Sequence, residues 1–375
     1  MKKIFIITGE YSGDIHASNV VRELKALNSD VAIEGIGGDN LAAEGVKLFA
    51  NQDKMSAVGI SPKILIDHYK LGKSLVDYLK NDFKPDLVLL IDYGAFNLSV
   101  AKFLHAAGIK IFYYIPPQVW ASRKYRIRLI KKFVDKVLCI FPFEKPLYAQ
   151  YGIDAHYCGH PLVAQLPPAV YRKEFLQKHG FDPDKKLVSV FPGSRVFELK
   201  ELMSVFKESV EKLKQKHPDL QFCMSQAPNL SDDVYKKYLG DDFDIKVIKG
   251  ENQALLSASD ALILASGTVA LEACLYKTPM IIAYRGPKLF YWIYLLVRCI
   301  KRVSLPNIIA DKEIVPEIIQ DKVTPINITY EIEELLYNSE KRSKTIEELA
   351  NVKSLLSDKN SALEVAKVID TELFS

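Results

Sequence analysis

A Ser-Gly-Thr turn at Ser266-Gly267-Thr268 follows the apolar run Ala261–Leu264 and leads into Val269-Ala270-Leu271-Glu272. A buried strand that turns directly into a helix offers backbone N–H groups and hydroxyls to an anion, and a diphosphate suits that geometry. Glu272 stands one helical turn after Thr268. A carboxylate there can accept both hydroxyls of a ribose. The plainer alternative, a solvent-facing helix residue, is opposed by its apolar neighbours Leu271, Ala273 and Cys274. Pro192-Gly193-Ser194-Arg195 repeats the arrangement after Leu187–Phe191. There, amide donors, helix dipole and guanidinium would add on a phosphate; the alternative is a capping Ser with a surface Arg. Two acids also follow strands. Asp92 ends Leu87–Ile91, and Glu10 follows Ile4–Thr8 in Gly9-Glu10-Tyr11-Ser12-Gly13-Asp14. Open α/β sheets bind ligands at the carboxyl ends of their strands. Ser12 and Asp14 read equally as helix caps.

Metal chemistry has little support. Histidines are few and dispersed, and no His/Asp/Glu cluster stands out. Asp182-Pro183-Asp184 lies in a polar loop before a strand and reads as a turn, and His160 before Pro161 reads as structural. The Gly9–Asp14 segment is not a dinucleotide fingerprint.

These residues need elements to hold them. Short apolar runs alternate with helix-like stretches: strands at Ile4–Thr8, Ala32–Gly35, Leu87–Ile91, Ile111–Ile115 and Lys136–Ile140, with helices at Ile15–Leu27 and Leu98–Ala107 between them. Tyr157–Gln165, followed by Pro167-Pro168, reads as a hinge. A second series follows, with strands at Leu187–Phe191, Gln221–Ser225, Asp244–Ile248, Ala261–Leu264 and Met280–Tyr284 and helices at Leu199–Lys214, Asn252–Ala258 and Thr268–Leu275. The rhythm predicts an α/β protein with two Rossmann-like domains facing across a cleft. The boundaries read as 1–165 and 166–345, with a helical tail at 346–375 that either crosses back to the first domain or exchanges with a partner in a homodimer.

Composition narrows the class. The chain has 375 residues, 49% hydrophobic and 26% charged, enough for two cores. Fifty Lys and Arg against 46 Asp and Glu leave a net charge of +4, too mild to argue for nucleic acid. Mean hydropathy is +0.01, yet no uncharged apolar run reaches the ~18 residues of a spanning helix. Met1–Ile7 is too short for a signal peptide and reads as the first strand. Five scattered cysteines without C-x-x-C spacing fit a reducing cytoplasm. Two stretches pair cations with apolar residues. Leu289–Val297 is flanked by Lys288, Arg298, Lys301 and Arg302; the stretch from Arg123 sets Ile127, Ile130, Val134 and Val137 at helical spacing among basic residues. Each suits an anionic bilayer surface or a core helix with a basic outer face.

The motifs together resemble those of lipid-A-disaccharide synthase, an inverting glycosyltransferase family of GT-B fold. The shared pieces are Gly9-Glu10-x-Ser12-Gly13-Asp14, Ala43-Glu44-Gly45, Lys84-Pro85-Asp86, Ile91-Asp92 with Phe96-Asn97, Val119-Trp120-Ala121, Phe141-Pro142-Phe143-Glu144 and Gly159-His160. In the second half they are Pro192–Arg195 with Glu198, Ala265–Thr268 with Ala270-Leu271-Glu272, and Val303-Ser304-Leu305-Pro306-Asn307. They run in order over nearly the whole chain. This chain departs from the family's frequent pattern at Ala95, where a second acid is common, and at Ser122, where a Trp is common.

The resemblance implies transfer of 2,3-diacylglucosamine from its UDP donor to 2,3-diacylglucosamine 1-phosphate, with no cofactor and no metal. It implies Asp92 as base, with Glu10 as alternative or orienting residue. Ser194, Arg195, Ser266, Gly267, Thr268, Leu271, Glu272 and Asn307 would serve the donor. Ser12 and Asp14 would serve the acceptor, and Ile60, Ile64 and Leu65 an acyl-binding lid. The protein is then expected in the cytoplasm, at the inner face of the inner membrane. A UDP-N-acetylglucosamine 2-epimerase and a non-catalytic nucleotide-sugar-binding protein remain the competing expectations.

Overall fold

The computed structural model describes residues 1–52, 62–240, 243–287, 301–357 and 359–374, with 62–68 described as backbone. The chain forms two compact units, Met1–Ala164 with Leu356–Ser375, and Gln165–Leu355.

The first unit is built on β1 (Lys2–Ile7), α1 (Tyr11–Leu27), β2 (Val31–Gly37), α2 (Asp39–Ala43), β3 (Lys47–Asn51), α3 (Pro62–Tyr78), β4 (Leu87–Ile91), α4 (Gly94–Ala106), β5 (Ile111–Tyr114), α5 (Arg126–Phe133), β6 (Lys136–Cys139), α6 (Glu144–Ala149), β7 (Ala155–Tyr157) and α7 (Pro161–Gln165), the last ending at the boundary. Its seven strands are all parallel, in the order β3-β2-β1-β4-β5-β6-β7. Every residue of β4 is at zero exposure. Helices cover both faces of a parallel sheet, so central strands are continuously apolar instead of alternating.

The second unit holds α8 (Arg172–Lys178), β8 (Leu187–Phe191), α9 (Val196–Lys216), β9 (Gln221–Gln226), α10 (Asp232–Leu239), β10 (Lys246–Lys249), α11 (Asn252–Ala258), β11 (Ala261–Ala265), α12 (Val269–Tyr276), β12 (Met280–Tyr284) and β13 (Glu317–Ile319). Its six strands are parallel, ordered β10-β9-β8-β11-β12-β13. Leu199, Leu202, Phe206, Val210 and Leu213 of α9 form one buried face of this core, together with Ile328, Ile332 and Leu335 of the helix Pro325–Tyr337.

Strands β3, β7 and β13 were not expected from sequence. They lie at sheet edges and are only half buried, so they lack the apolar run that marks a central strand. The tail is divided between the two units. Residues 346–355 belong to the second unit within the helix Ser339–Ser357, with Leu349 and Val352 buried. The final helix Ser361–Phe374 packs along α1 in the first unit. There Ser361 Oγ lies 2.7 Å from Tyr114 Oη, and Lys110 pairs with Glu372.

Candidate active site

In the first sheet the chain leaves β1 toward β2 and leaves β4 toward β5, in opposite directions. The two connections diverge above the carboxyl ends of β1 and β4, and that opening is the ligand-binding position of an open α/β sheet. Glu10 follows β1 and Asp92 follows β4, so both acids stand at this point. Asp92 and Tyr93 both have left-handed backbone, at φ 49° and 46°, a conformation that costs a non-glycine residue roughly 1 kcal/mol or more. The Tyr93 ring lies over Gly9, where a Cβ would stand 2.4 Å from it; only glycine allows that approach. Burial pushes the Asp92 carboxyl above the ordinary carboxylate range, and the nearby Glu10 charge pushes it further, against a hydrogen bond from the Tyr93 backbone. An acid with a raised pKa next to an exposed partner is suited to accept a proton near neutral pH.

The other residues expected around the acceptor separate. Ser12 is exposed on the first turn of α1. Asp14 is fully buried. Its carboxylate accepts from Gly38 N (2.7 Å), Asn40 N (3.0 Å), Leu41 N (3.2 Å) and Asn40 Nδ2 (2.9 Å). It therefore caps α2, and its acceptor capacity is spent inside the fold. Ile60 lies outside the described residues, as do the side chains of Ile64 and Leu65. The apolar stripe of α5 is internal: Ile127, Ile130 and Phe133 are buried, as are Val134 and Val137. Of the two readings of that segment, the core helix with a basic outer face holds, with Arg128, Lys131 and Lys132 exposed.

The second sheet repeats the topology. Connections diverge between β8 and β11, which places Pro192–Arg195 and Ser266–Thr268 side by side. Ser194, Ser266, Gly267, Thr268 and Glu272 line one cavity of about 180 Å³. Among the described residues the amides of Gly267, Thr268 and Val269 meet no protein acceptor. They point out at the start of α12, where the helix dipole favours an anion.

The Pro192–Arg195 corner is organised differently. Gly193 has φ 113°, and a Cβ there would lie 2.2 Å from Glu198 Oε2. Glu198 lines the cavity and accepts from Ser194 N (2.9 Å) and Arg195 N (3.2 Å), closing a capping box on α9. Those two amides are thus already satisfied. What this corner offers a ligand is the Ser194 hydroxyl and the Arg195 guanidinium, whose side chain is 71% exposed and 3.3 Å from Glu198. Arg195 itself is not among the residues lining the cavity.

Burial also raises the Glu272 carboxyl, and Gln253 Nε2 holds one of its oxygens at 3.3 Å. Gln253, Asn252 and Ser225 line the same cavity, Ser225 Oγ donating to Asn252 Oδ1 at 2.8 Å. Sequence reasoning missed these three. The one available signal was a polar Asn-Gln pair opening a helix just after a strand.

Two residues expected to serve the donor lie inside the fold. Leu271 is fully buried in α12, and its amide donates to Thr268 O; it is core, as its apolar side chain on the inner face of the helix requires. Asn307 is also fully buried. Its Nδ2 donates to Val315 O and Glu317 Oε1 (both 2.9 Å), and its Oδ1 accepts from Ile314 N (2.8 Å) and Val315 N (3.0 Å). With two donors and two lone pairs in use, the amide has nothing left for a ligand. It ties the helix Leu305–Ile309 to the segment entering β13. His160 is buried, with Nδ1 accepting from Leu162 N, and burial pushes its imidazole down to about 3; it stays neutral, as a structural residue would.

Among the described residues no group of three or more His, Cys, Asp or Glu is placed to hold a metal ion, and no helix is long and apolar enough to cross a membrane. The fold matches that of a UDP-N-acetylglucosamine 2-epimerase from Neisseria meningitidis solved with UDP-N-acetylglucosamine. The TM-score is 0.63 at 16% identity, covering 100% of this chain and 99% of that one, a likeness of fold alone. Sequence carries further. The chain is 34% identical over 377 residues to a lipid-A-disaccharide synthase from Coxiella burnetii, covering 100% of this chain and 99% of that protein. It is 35% identical over 373 residues to one from Geobacter metallireducens, covering 98% and 96%. The family model described as lipid-A-disaccharide synthetase matches residues 4–369. With both sheets inside that match, and an acid or an anion cradle at each switch point, this chain belongs to the lipid-A-disaccharide synthase family.

Proposed function

We propose that this chain joins two acylated glucosamines, moving 2,3-diacylglucosamine from UDP-2,3-diacylglucosamine to the 6-hydroxyl of 2,3-diacylglucosamine 1-phosphate with inversion. The products are the β-1,6 disaccharide and UDP. The observation that carries the reading is the cavity at the β8–β11 switch point, where three unpartnered amides and a buried carboxylate stand at the positions expected for a diphosphate and a ribose. The amides of Gly267, Thr268 and Val269, with the Ser194, Ser266 and Thr268 hydroxyls, hold the diphosphate; Arg195 adds positive charge at the rim. As the bond to the anomeric carbon breaks, charge gathers on the leaving UDP, and fixed dipoles aimed at it lower the barrier. Glu272, oriented by Gln253, accepts the ribose hydroxyls.

In the first unit Asp92 takes the proton from the acceptor 6-hydroxyl as that oxygen attacks the anomeric carbon from the face opposite UDP. One bond forms and one breaks, so the configuration inverts. Glu10 keeps the Asp92 pKa high and stands ready to orient the acceptor. Ala95 leaves Asp92 as the one acid of this loop. Acyl chains keep both sugars in a bilayer, so the enzyme works at the inner face of the inner membrane. Family membership over residues 4–369 favours this transfer over epimerisation.

The test is turnover of synthetic UDP-diacylglucosamine with diacylglucosamine phosphate in detergent, with mass detection of the disaccharide. Epimer formation without acceptor, or release of UDP without disaccharide, defeats the reading.

A further inference from the structure

The turn after β4 sets two consecutive non-glycine residues, Asp92 and Tyr93, in left-handed backbone. Local sterics oppose that conformation in both, so it persists only where surrounding bonds hold it. The Asp92 carbonyl oxygen is held twice. Tyr113 Oη donates to it at 2.7 Å and Asn97 Nδ2 at 2.8 Å, and the same amide reaches Ile91 O at 3.2 Å. Asp92 N donates to Tyr114 O at 3.1 Å. The peptide groups on both sides of Asp92 are thereby pinned to β5 and α4.

Both holding residues are fully buried, Tyr113 in β5 and Asn97 in α4. Neither side chain is open to solvent or to a ligand. Tyr113 sits among apolar neighbours of the first core, where a phenylalanine would fill the same space. Its hydroxyl adds a bond to the Asp92 carbonyl and lies against the Asn97 amide that holds the same oxygen.

We propose that Asn97 and Tyr113 are positioning residues, which hold the Asp92 backbone in the left-handed turn that aims its carboxylate at the acceptor hydroxyl. The proposal rests on the reading of Asp92 as the base. Glu10 from the turn after β1 acts on that carboxylate directly, the Tyr93 amide beside it donates to it, and Tyr113 from β5 faces both Asp92 and Arg126 of α5. The Arg126 guanidinium lies 3.3 Å from where a Cβ on Gly94 would stand. None of them is removed by Asn97→Ala, and Tyr113→Phe deletes a hydroxyl that burial keeps protonated.

The experiment compares Asp92→Asn, Tyr113→Phe and Asn97→Ala in the full-length protein. It measures kcat and donor KM with both lipid substrates, the pH dependence of kcat, UDP affinity and thermal midpoint. With the reading and the proposal both correct, Asp92→Asn abolishes turnover. Tyr113→Phe then lowers kcat by about tenfold to a hundredfold, the usual consequence of a misplaced reacting group. Donor KM and UDP affinity stay unchanged, and the acidic limb of kcat moves as the carboxylate resettles. If Asp92→Asn is inactive but Tyr113→Phe keeps the wild-type kcat and limb, the positioning role is refuted while the base stands. If Asp92→Asn keeps the wild-type rate, the base reading falls and this proposal with it. A loss of kcat matched by loss of folded protein in Tyr113→Phe also overturns it; should Asn97→Ala fail to fold, Tyr113→Phe decides alone.

Discussion

Asn307→Ala separates a donor contact from an internal tie. In the folded protein the side chain makes four hydrogen bonds of 2.8 to 3.0 Å at zero exposure. Truncation leaves the amides of Ile314 and Val315 and the carbonyl of Val315 without that partner in a region closed to water. Each stranded buried group costs about 1–3 kcal/mol. With partial relaxation the total is about 3–5 kcal/mol, a large share of the roughly 5–15 kcal/mol that holds a typical domain. Glu317 keeps Val303 N and Ser304 N and Oγ as donors, so its carboxylate is not stranded and adds little. Urea unfolding followed by far-UV circular dichroism, with UDP affinity measured well below the transition, reads both quantities. The expected result is an unfolding free energy lowered by that amount, seen as a lower urea midpoint at unchanged m, and a UDP affinity close to wild type in the folded fraction. A wild-type midpoint together with lost donor binding would refute the buried placement and return Asn307 to the ligand.

Two further outcomes follow from the carboxylates. A base works deprotonated, so the rate rises with pH through the Asp92 pKa; that limb lies above the ordinary carboxylate range because burial and Glu10 raise it. Glu10→Gln removes one negative charge, lowers the Asp92 pKa and moves the acidic limb of kcat/KM to lower pH; a limb that stays put shows that Glu10 does not act on the base. Glu272→Gln weakens UDP binding by about tenfold, or ~1.4 kcal/mol, while leaving the affinity for 2′,3′-dideoxy-UDP unchanged by calorimetry. An equal loss for both ligands would take Glu272 off the ribose.

Central strands were readable because burial on both faces forces continuous apolar runs: Leu87–Ile91, Leu187–Phe191 and Met280–Tyr284 have the same limits in sequence and structure. Edge strands such as Lys47–Asn51 carry no such run and could not be read. Within the candidate site, residues at strand ends were legible, since a polar residue that interrupts an apolar run has few other reasons to be there. Three residues expected at the site are buried inside the fold for one reason. Asp14, Leu271 and Asn307 lie in segments that do touch the site, but a motif records which residues stand together and not which way each side chain points. Asp14 turns inward to α2, Leu271 faces the core, and Asn307 closes on residues 314–317. Gln253 went unnoticed although it opens a helix just after a strand, because the strand before it, Lys246–Lys249, is a half-exposed edge strand with no apolar run to mark its end.

The sequence by itself therefore determined the layers: two parallel α/β halves, polar turns after buried strands, and a set of motifs whose order over the chain points to one glycosyltransferase family. Local periodicity and turn chemistry suffice for that. Strand order is different, because it depends on hydrogen bonds between segments far apart in the chain. Only the tertiary structure set β4 beside β1 and β11 beside β8. Reversal of the chain path at those two places, not any single motif, is what brings Asp92 beside Glu10 and Thr268 beside Ser194.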